Sequence, residues 1–317
     1  MHSRKQPLAG ERDAVVADAA APAMRIAVGI VTRDRAAILA ETLAELARQT
    51  RPPDEILIGP TSDADLPGEM ATPVTPRIVM LPRGAIPGAS AQRNLLLDAT
   101  DADIVLFLDD DFLPAPGYLA AVEAAFAADP NLVAATGTVI ADGIKGPGIT
   151  VAAARDCLAR DGAAGHARET DTKQAGTYGC NMAFRVAAVR AHGIRFDENL
   201  PFYSWQEDND FSRRLGRHGG IMRLAGARGV HLGHKAGRTS GRRLGYSQVA
   251  NFVYLARKGS IPGSYAASYI LRNLLANLVG SVRPEPWVDR RGRLRGNMLA
   301  LADLLRGRCD PRRIISM

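Results

Sequence analysis

The stretch that most constrains this 317-residue chain is Ile104-Val105-Leu106-Phe107-Leu108-Asp109-Asp110-Asp111. An apolar run with no polar break predicts a strand buried on both faces. It ends abruptly in three carboxylates, followed by Phe112-Leu113-Pro114. Side chains alternate along a strand, so Asp109 and Asp111 project to one side and Asp110 to the other. Two carboxylates on one side of such a strand end suit a hard divalent cation, Mg²⁺ or Mn²⁺. A cation held by so few protein ligands normally completes its shell with substrate phosphates. A solvated acidic turn would look the same in isolation, so the remainder of the chain has to decide.

Arg25–Val31 reads as a first buried strand. Ile38, Leu39, Leu43 and Leu46 then recur at helical spacing until Arg51-Pro52-Pro53 stops the helix, and Glu55–Ile58 begins a second strand. Strand, helix and strand with short connections predict a βαβ unit of a parallel sheet. Ligands of such sheets bind beyond the carboxyl ends of the strands, which puts Thr32–Arg35 and Gly59–Asp65 on the functional edge. Further strands are expected at 77–81, 133–140, 178–185 and 221–224, and helices at 89–99, 116–128, 186–191 and 205–215. Residues 141–176 show no period and read as a loop over the site or an insertion. Residues 226–243 read as a Gly- and Arg-rich loop holding His231 and His234, with helices after it at 244–258, 264–279 and 295–305.

A hydrophobic content of 46% and a charged content of 23% are those of a soluble globular protein. The three cysteines, Cys157, Cys180 and Cys309, form no CxxC or Cys/His spacing, so neither a disulfide framework nor a zinc site is indicated. Residues 1–23 lack a continuous apolar core and read as a poorly ordered leader rather than a secretory signal. No stretch is long and apolar enough to span a bilayer. The expected location is the cytoplasm, with peripheral contact at the inner face of the membrane and homo-oligomerisation both left open. The net charge of +7 gathers in the C-terminal part, which suggests an anionic partner: a diphosphate, an anionic membrane surface or nucleic acid. No recognisable nucleic-acid reader is present, which makes nucleic acid the weakest of the three.

Several separated stretches then fall into one order. They are the first strand with Thr32-Arg33-Asp34-Arg35, the Gly88…Ala91-Gln92-Arg93-Asn94 helix start, Leu108-Asp109-Asp110-Asp111, Gly179-Cys180-Asn181-Met182-Ala183-Phe184-Arg185, Phe196-Asp197-Glu198, and Glu207-Asp208…Arg214-Leu215…Gly219. The set resembles family-2 glycosyltransferases with the GT-A fold, over roughly residues 24–225. The resemblance implies an α/β catalytic domain with a mostly parallel central sheet flanked by helices. Residues 226–317 would follow as a basic loop and a helical C-terminal extension.

The activity implied is an inverting, metal-dependent, hexosyltransferase-type transfer from a nucleotide-diphosphate sugar to a hydroxyl on a glycan, lipid-linked or small-molecule acceptor. Surface polysaccharide or glycolipid synthesis would be a natural setting. By the resemblance, Asp111 binds Mn²⁺ or Mg²⁺ directly, and Asp109 contacts the ribose or shares the metal. Asp110 is left undecided. Arg93 lies against the base or the phosphates, Thr32 and Arg35 line the base pocket, and Asn181 belongs to the donor site. In related enzymes a histidine after this strand can complete the metal shell or touch the diphosphate. His231, which follows the strand more directly, is preferred here with His234 left open, and the nearby Lys235, Arg238, Arg242 and Arg243 could close over the diphosphate. Asp208 is the general base, with Glu207 or Asp210 as fallbacks; an acceptor hydroxyl needs such a carboxylate within reach. Family members commonly carry an acid after the second strand that contacts uracil. Here Gly59-Pro60 stands in that place, so either Asp63 substitutes or the donor is a GDP- or dTDP-sugar. Two other classes remain on the sequence: a nucleotidyltransferase, which would show a Gly-rich phosphate loop, and a non-catalytic domain binding an anionic glycan or membrane.

Overall fold

The computed structural model describes residues 23–166, 169–237 and 239–317. The leader expected at residues 1–23 lies outside the described residues but for Ala23, and so does Arg238.

Ile26–Thr32 (β1), Glu55–Pro60 (β2), Arg77–Ile78 (β3) and Ile104–Asp109 (β4) form the parallel half of the sheet, with Ala36–Ala47 (α1) linking β1 to β2 as the βαβ reading requires. Phe112–Pro114 (β5), Leu132–Asp142 (β6), Thr172–Lys173 (β7), Asn181–Arg185 (β8) and Gly220–His231 (β9) make the other half. The nine-stranded order is β3-β2-β1-β4-β8-β6-β9-β5, with β7 pairing β9. Beyond β4 the pairings are mixed: β8 is antiparallel to β4 and β6, and β6 is parallel to β9.

The apolar run in β4 is buried on both faces for a simple reason. On one face Ile104, Leu106 and Leu108 share a core with Leu39, Leu43 and Leu46 of α1 and with Leu119, Val122 and Phe126 of Tyr118–Ala128 (α3). On the other, Val105 and Phe107 pack with Leu96 and Leu97 of Ala89–Asp98 (α2) and with Phe211 and Leu215. Those last two residues belong to Glu207–Leu215, while Val151–Ala164 and Val186–Ala191 are the helices before it; in chain order the three are α4, α5 and α6.

Three expectations need correction. The third strand stops at Ile78, after which only the Val79 N–H bonds back to the Ile58 carbonyl. The segment 141–176, read as a loop over the site or an insertion, contains α4, capped by Thr150, whose hydroxyl accepts from the Ala153 N–H. Its one fully buried side chain is Ala154, and ion pairs dock the rest: Arg155 to Glu41 and Glu45 of α1, and Asp161 to Arg228. A helix held this way leaves little apolar period in its sequence. The loop expected from 226 is strand up to His231, so the sheet runs through the boundary drawn at 225/226. Tertiary contacts carry β9 through this poor strand sequence: Arg228 pairs with Asp161 and Glu169, and β6 continues alongside to Asp142.

Gly241–Lys258 (α7), Gly263–Gly280 (α8) and Arg290–Leu305 (α9) form the helical extension. They meet at a buried amide cluster in which the Asn277 side chain donates to Gln248 and to Asn297, each at 2.8 Å. α7 and α9 approach so closely that a Cβ on Gly296 would overlap the Arg242 carbonyl oxygen, and one on Gly245 that of Arg293. Gly296→Ala is therefore expected to destabilise the protein by about 1–3 kcal/mol, the usual cost of overpacking. Denaturant unfolding of the variant against the parent measures it.

Candidate active site

The carboxylates at the end of β4 divide as strand alternation requires, but their partners were not legible. Asp110 turns inward and is 3% exposed. It accepts hydrogen bonds from the Thr32 hydroxyl at 2.8 Å and the Arg35 guanidinium at 2.7 Å, while its backbone carbonyl accepts from Thr42. Burial raises its pKa to about 7, the neighbouring Asp111 charge adding to the effect and Arg35 opposing it. Arg35 also donates to the carbonyls of Ala236 and His234. Thr32 and Arg35, expected to line the base pocket, and Asp110, left undecided, are thus largely spent on one another and on the segment after β9.

Asp111 lies at the β5–β9 junction, where Phe112 pairs with His231 and the Leu232 N–H bonds to the Asp111 carbonyl. That register sets His231 Nε2 3.5 Å from Asp111 Oδ1. Asp111 Oδ2 accepts the His234 N–H at 2.6 Å. Oδ1 is buried without a hydrogen-bond partner. Burial by itself would raise the Asp111 pKa, but His231 and Arg35 outweigh it and hold the carboxyl down, at about 2. His231 is the converse case. Burial would lower its pKa, and Asp111 and Asp142 carry it to about 10. Its Nδ1 sits 2.9 Å from Asp142, a carboxylate that also accepts from the Tyr178 hydroxyl. One ligand atom each from Asp109, Asp111 and His231 lie within 4.8 Å of one another. This is a hard-cation donor set with an outer carboxylate fixing the imidazole.

Across the cavity stands the start of α6. Asp208 Oδ2 accepts the Gly179 N–H at 3.0 Å, and Oδ1 the Asn209 N–H at 2.8 Å. Burial pushes its pKa up against those two donors and the Arg93 charge. Glu207 is buried and paired with Arg93; burial moves its pKa to about 8 against the pull of that guanidinium. Arg93 also reaches Asp109 at 3.1 Å and so ties the base of α6 to the end of β4. Asp210 faces the other way, accepting from Ser260 and pairing with Arg214 and Lys258, which removes it as an alternative base.

A cavity of about 340 Å³ joins these groups; Thr32, Arg93, Asp109, Tyr178, Asp208 and His231 are among its walls. Trp205, Tyr265 and Tyr269 close another part of it, and the sequence reading gave none of them a role. The loop entering α6 has left-handed backbone at Phe202, Ser204 and Gln206 (φ 58°, 53° and 77°), conformations that cost of order 1–3 kcal/mol each outside glycine. It is locked by the Ser204 hydroxyl, which accepts from the Ser90 N–H and donates to the Leu200 carbonyl.

Two expected donor-site residues stand elsewhere. Asn181 is fully buried, its amide oxygen accepting from Thr136 and from the Gly137 N–H, so it fastens β8 to β6. Asp63 is exposed and does not line the cavity. The acid that works at that edge is Asp65, which accepts from the N–H groups of Asp34, Thr61 and Ser62. In the basic loop, Lys235 donates to the carbonyls of Gly143 and Ile144, and Arg243 to that of Met317. The missed Asp142 lies in the segment that carried no period, and only the fold brings it to His231.

The sequence model for glycosyl transferase family 2 matches residues 27–193, more than half of the chain. The chain belongs to glycosyl transferase family 2. No curated protein matches it in sequence. Among solved structures, the mannosyltransferase PcManGT from Pyrobaculum calidifontis, in complex with GDP-Man and Mn²⁺, is 19% identical, with a TM-score of 0.51 over 92% of this chain and 85% of that one. S. aureus TarS 1-349 in complex with UDP-GlcNAc is 15% identical, with a TM-score of 0.51 over 92% and 90%. GalNAc-T7 with UDP, GalNAc and Mn²⁺ is 12% identical, with a TM-score of 0.54 over 91% and 58%. Against the longer S. aureus TarS structure the match spans 44% of that chain. These likenesses establish the GT-A fold for this family member.

The Arg93 clamp gives a direct test. Arg93→Leu strands the Glu207 carboxylate in the interior and is expected to cost about 3–5 kcal/mol. Adding Glu207→Gln to it should recover much of that loss, as read by denaturant unfolding of both variants.

Proposed function

We propose that this glycosyltransferase is an inverting enzyme that moves a hexose from a nucleoside-diphosphate sugar to a hydroxyl acceptor, with Asp208 as general base. The observation that carries the reading is the placement of Asp208, Asp109 and His231 on the walls of one cavity, with a buried Asp111 oxygen within 4.8 Å of the last two. The nucleotide sugars in the PcManGT and TarS complexes support the donor class.

Asp109, Asp111 and His231 would hold Mn²⁺ or Mg²⁺. The buried Asp111 Oδ1 fits that use, since it makes no hydrogen bond and has the His231 imidazole 3.5 Å away. When bound, the cation supplies positive charge to the departing diphosphate.

In the transfer, the acceptor oxygen bonds to the anomeric carbon and the bond from that carbon to the diphosphate breaks. The acceptor proton passes to a carboxylate oxygen of Asp208. The Gly179 and Asn209 N–H groups hold that carboxylate in place, and burial makes it a stronger base than an exposed aspartate. Glu207 and Arg93 act as positioning residues, because their charges are spent on each other and on Asp109. Trp205, Tyr265 and Tyr269 offer flat apolar faces with polar edges, which suit a glycan acceptor.

Asp208→Asn is expected to lower kcat by about 10²–10⁴-fold, the usual worth of a general base. Donor affinity, measured by calorimetry with Mn²⁺ present, should stay near the parent value; near-parent turnover would remove Asp208 from the role. A base must be deprotonated to act, and Asp208 is shifted upward. Transfer should therefore rise with pH through a midpoint above that of an ordinary aspartate. Chelation of divalent ions should abolish transfer, and Mn²⁺ or Mg²⁺ should restore it.

A further inference from the structure

The helical extension carries a surface that the transfer reaction does not use. α8 is apolar on two faces. Its inward face carries Tyr265, Ala266, Tyr269 and Ile270, which pack in apolar clusters, and the half-buried Asn273 and buried Asn277. The two tyrosines line the cavity, and Asn277 is buried in the amide cluster with Gln248 and Asn297. Its outward stripe is Leu271, Leu275, Leu278 and Val279, between 50% and 73% exposed, and the stripe continues into Val282 at 77%. A surface helix normally buries its apolar face and presents its polar one. A contiguous apolar patch left outward marks an interaction site.

Arginines border the patch. After Gly259 the chain holds ten arginines and four carboxylates. Arg283 and Arg291 are exposed and form no ion pair among the described residues; Arg291 donates to the Ser281 carbonyl at the C-terminal end of α8. Arg272, also exposed, lies 4.9 Å from the Tyr269 ring centroid. Trp287, 37% exposed, follows on the loop after α8. Charge decides the occupant. A second copy on a two-fold axis would bring the same arginines against these, a like-charge contact that opposes association. An anionic bilayer meets them with the opposite sign.

We propose that α8 docks on an anionic membrane surface. Leu271, Leu275, Leu278, Val279 and Val282 enter the boundary between headgroups and acyl chains, and Arg272, Arg283 and Arg291 pair with lipid phosphates. α8 is not long and apolar enough to cross a bilayer, so it lies in the plane of the interface. The cavity then sits on the far side of α8, about 10–12 Å (one helix diameter) from the docked face.

The test is co-sedimentation of the full chain with vesicles of phosphatidylcholine alone and of phosphatidylcholine mixed with phosphatidylglycerol. Binding is expected on the mixed vesicles, weaker on the neutral ones, and reduced by salt. Leu275→Glu with Val279→Glu should lower the partition coefficient by about tenfold or more. Both side chains are exposed, so the unfolding temperature should hold and show that the fold is intact. Arg283→Glu with Arg291→Glu should remove the preference for anionic lipid. Absence of binding to the mixed vesicles, or equal binding by the Leu275/Val279 variant, would overturn the proposal. A dimer in sedimentation velocity that this variant abolishes would also overturn it, by assigning the face to a second copy.

Discussion

The guanidinium of Arg93 holds together two segments that lie nearly a hundred residues apart. It pairs with Glu207 at the start of α6 and with Asp109 at the end of β4, and its π-face contacts include Phe196 and Phe107. Six carboxylates crowd this edge of the sheet: Asp109, Asp110, Asp111, Asp142, Glu207 and Asp208. Two like charges 4 Å apart repel by about 4 kcal/mol at an effective dielectric of 20. The fold tolerates the crowd because Arg93, Arg35 and His231 are interleaved with it. The cationic groups are placed unevenly. Asp110 and Glu207 face theirs at close range, whereas Asp208 is held mainly by neutral N–H donors. That leaves Asp208 with lone pairs directed to a cavity and an elevated basicity.

The same edge shows how segments outside the family match complete the site. β9 runs on to His231 and supplies the imidazole beside Asp111. The segment after it lends carbonyls to Arg35, and α8 lends two tyrosines to the cavity. The strained turn from Phe202 to Gln206 is held between α2 and α6, where Phe202 bridges Gly88 and Ser204 bonds to Ser90. Backbone held in sparsely populated conformations beside a site carboxylate is how a site fixes a side chain that local propensity would not fix.

Much of the fold was legible because its signals are local. Proline and glycine stops, the period of α1 and the unbroken apolar run of β4 follow from covalent geometry and burial. The elements that escaped reading are those whose stability is not local. α4 is docked by arginine–carboxylate pairs to α1 and β9, and the distal half of β9 is held by its neighbours despite Gly226 and Gly229. The missed site residues share that cause: Asp142 and Tyr178 become site residues only through contacts across the sheet, and Trp205 only by packing with the helical extension.

By itself, then, the sequence determined the βαβ start, the carboxylates at the end of β4, the alternation that separates Asp110 from Asp109 and Asp111, and the acidic start of α6. These depend on the order of residues along one strand or one turn. Only the tertiary structure decided what each group serves. It spent Asp110, Arg35 and Arg93 on internal pairs, turned Asn181 and Asp210 away from the cavity, and set Asp142 behind His231. It also left the leucines of α8 facing outward. The reason is that a charge or an apolar side chain takes its role from the partner it meets, and those partners come from distant parts of the chain.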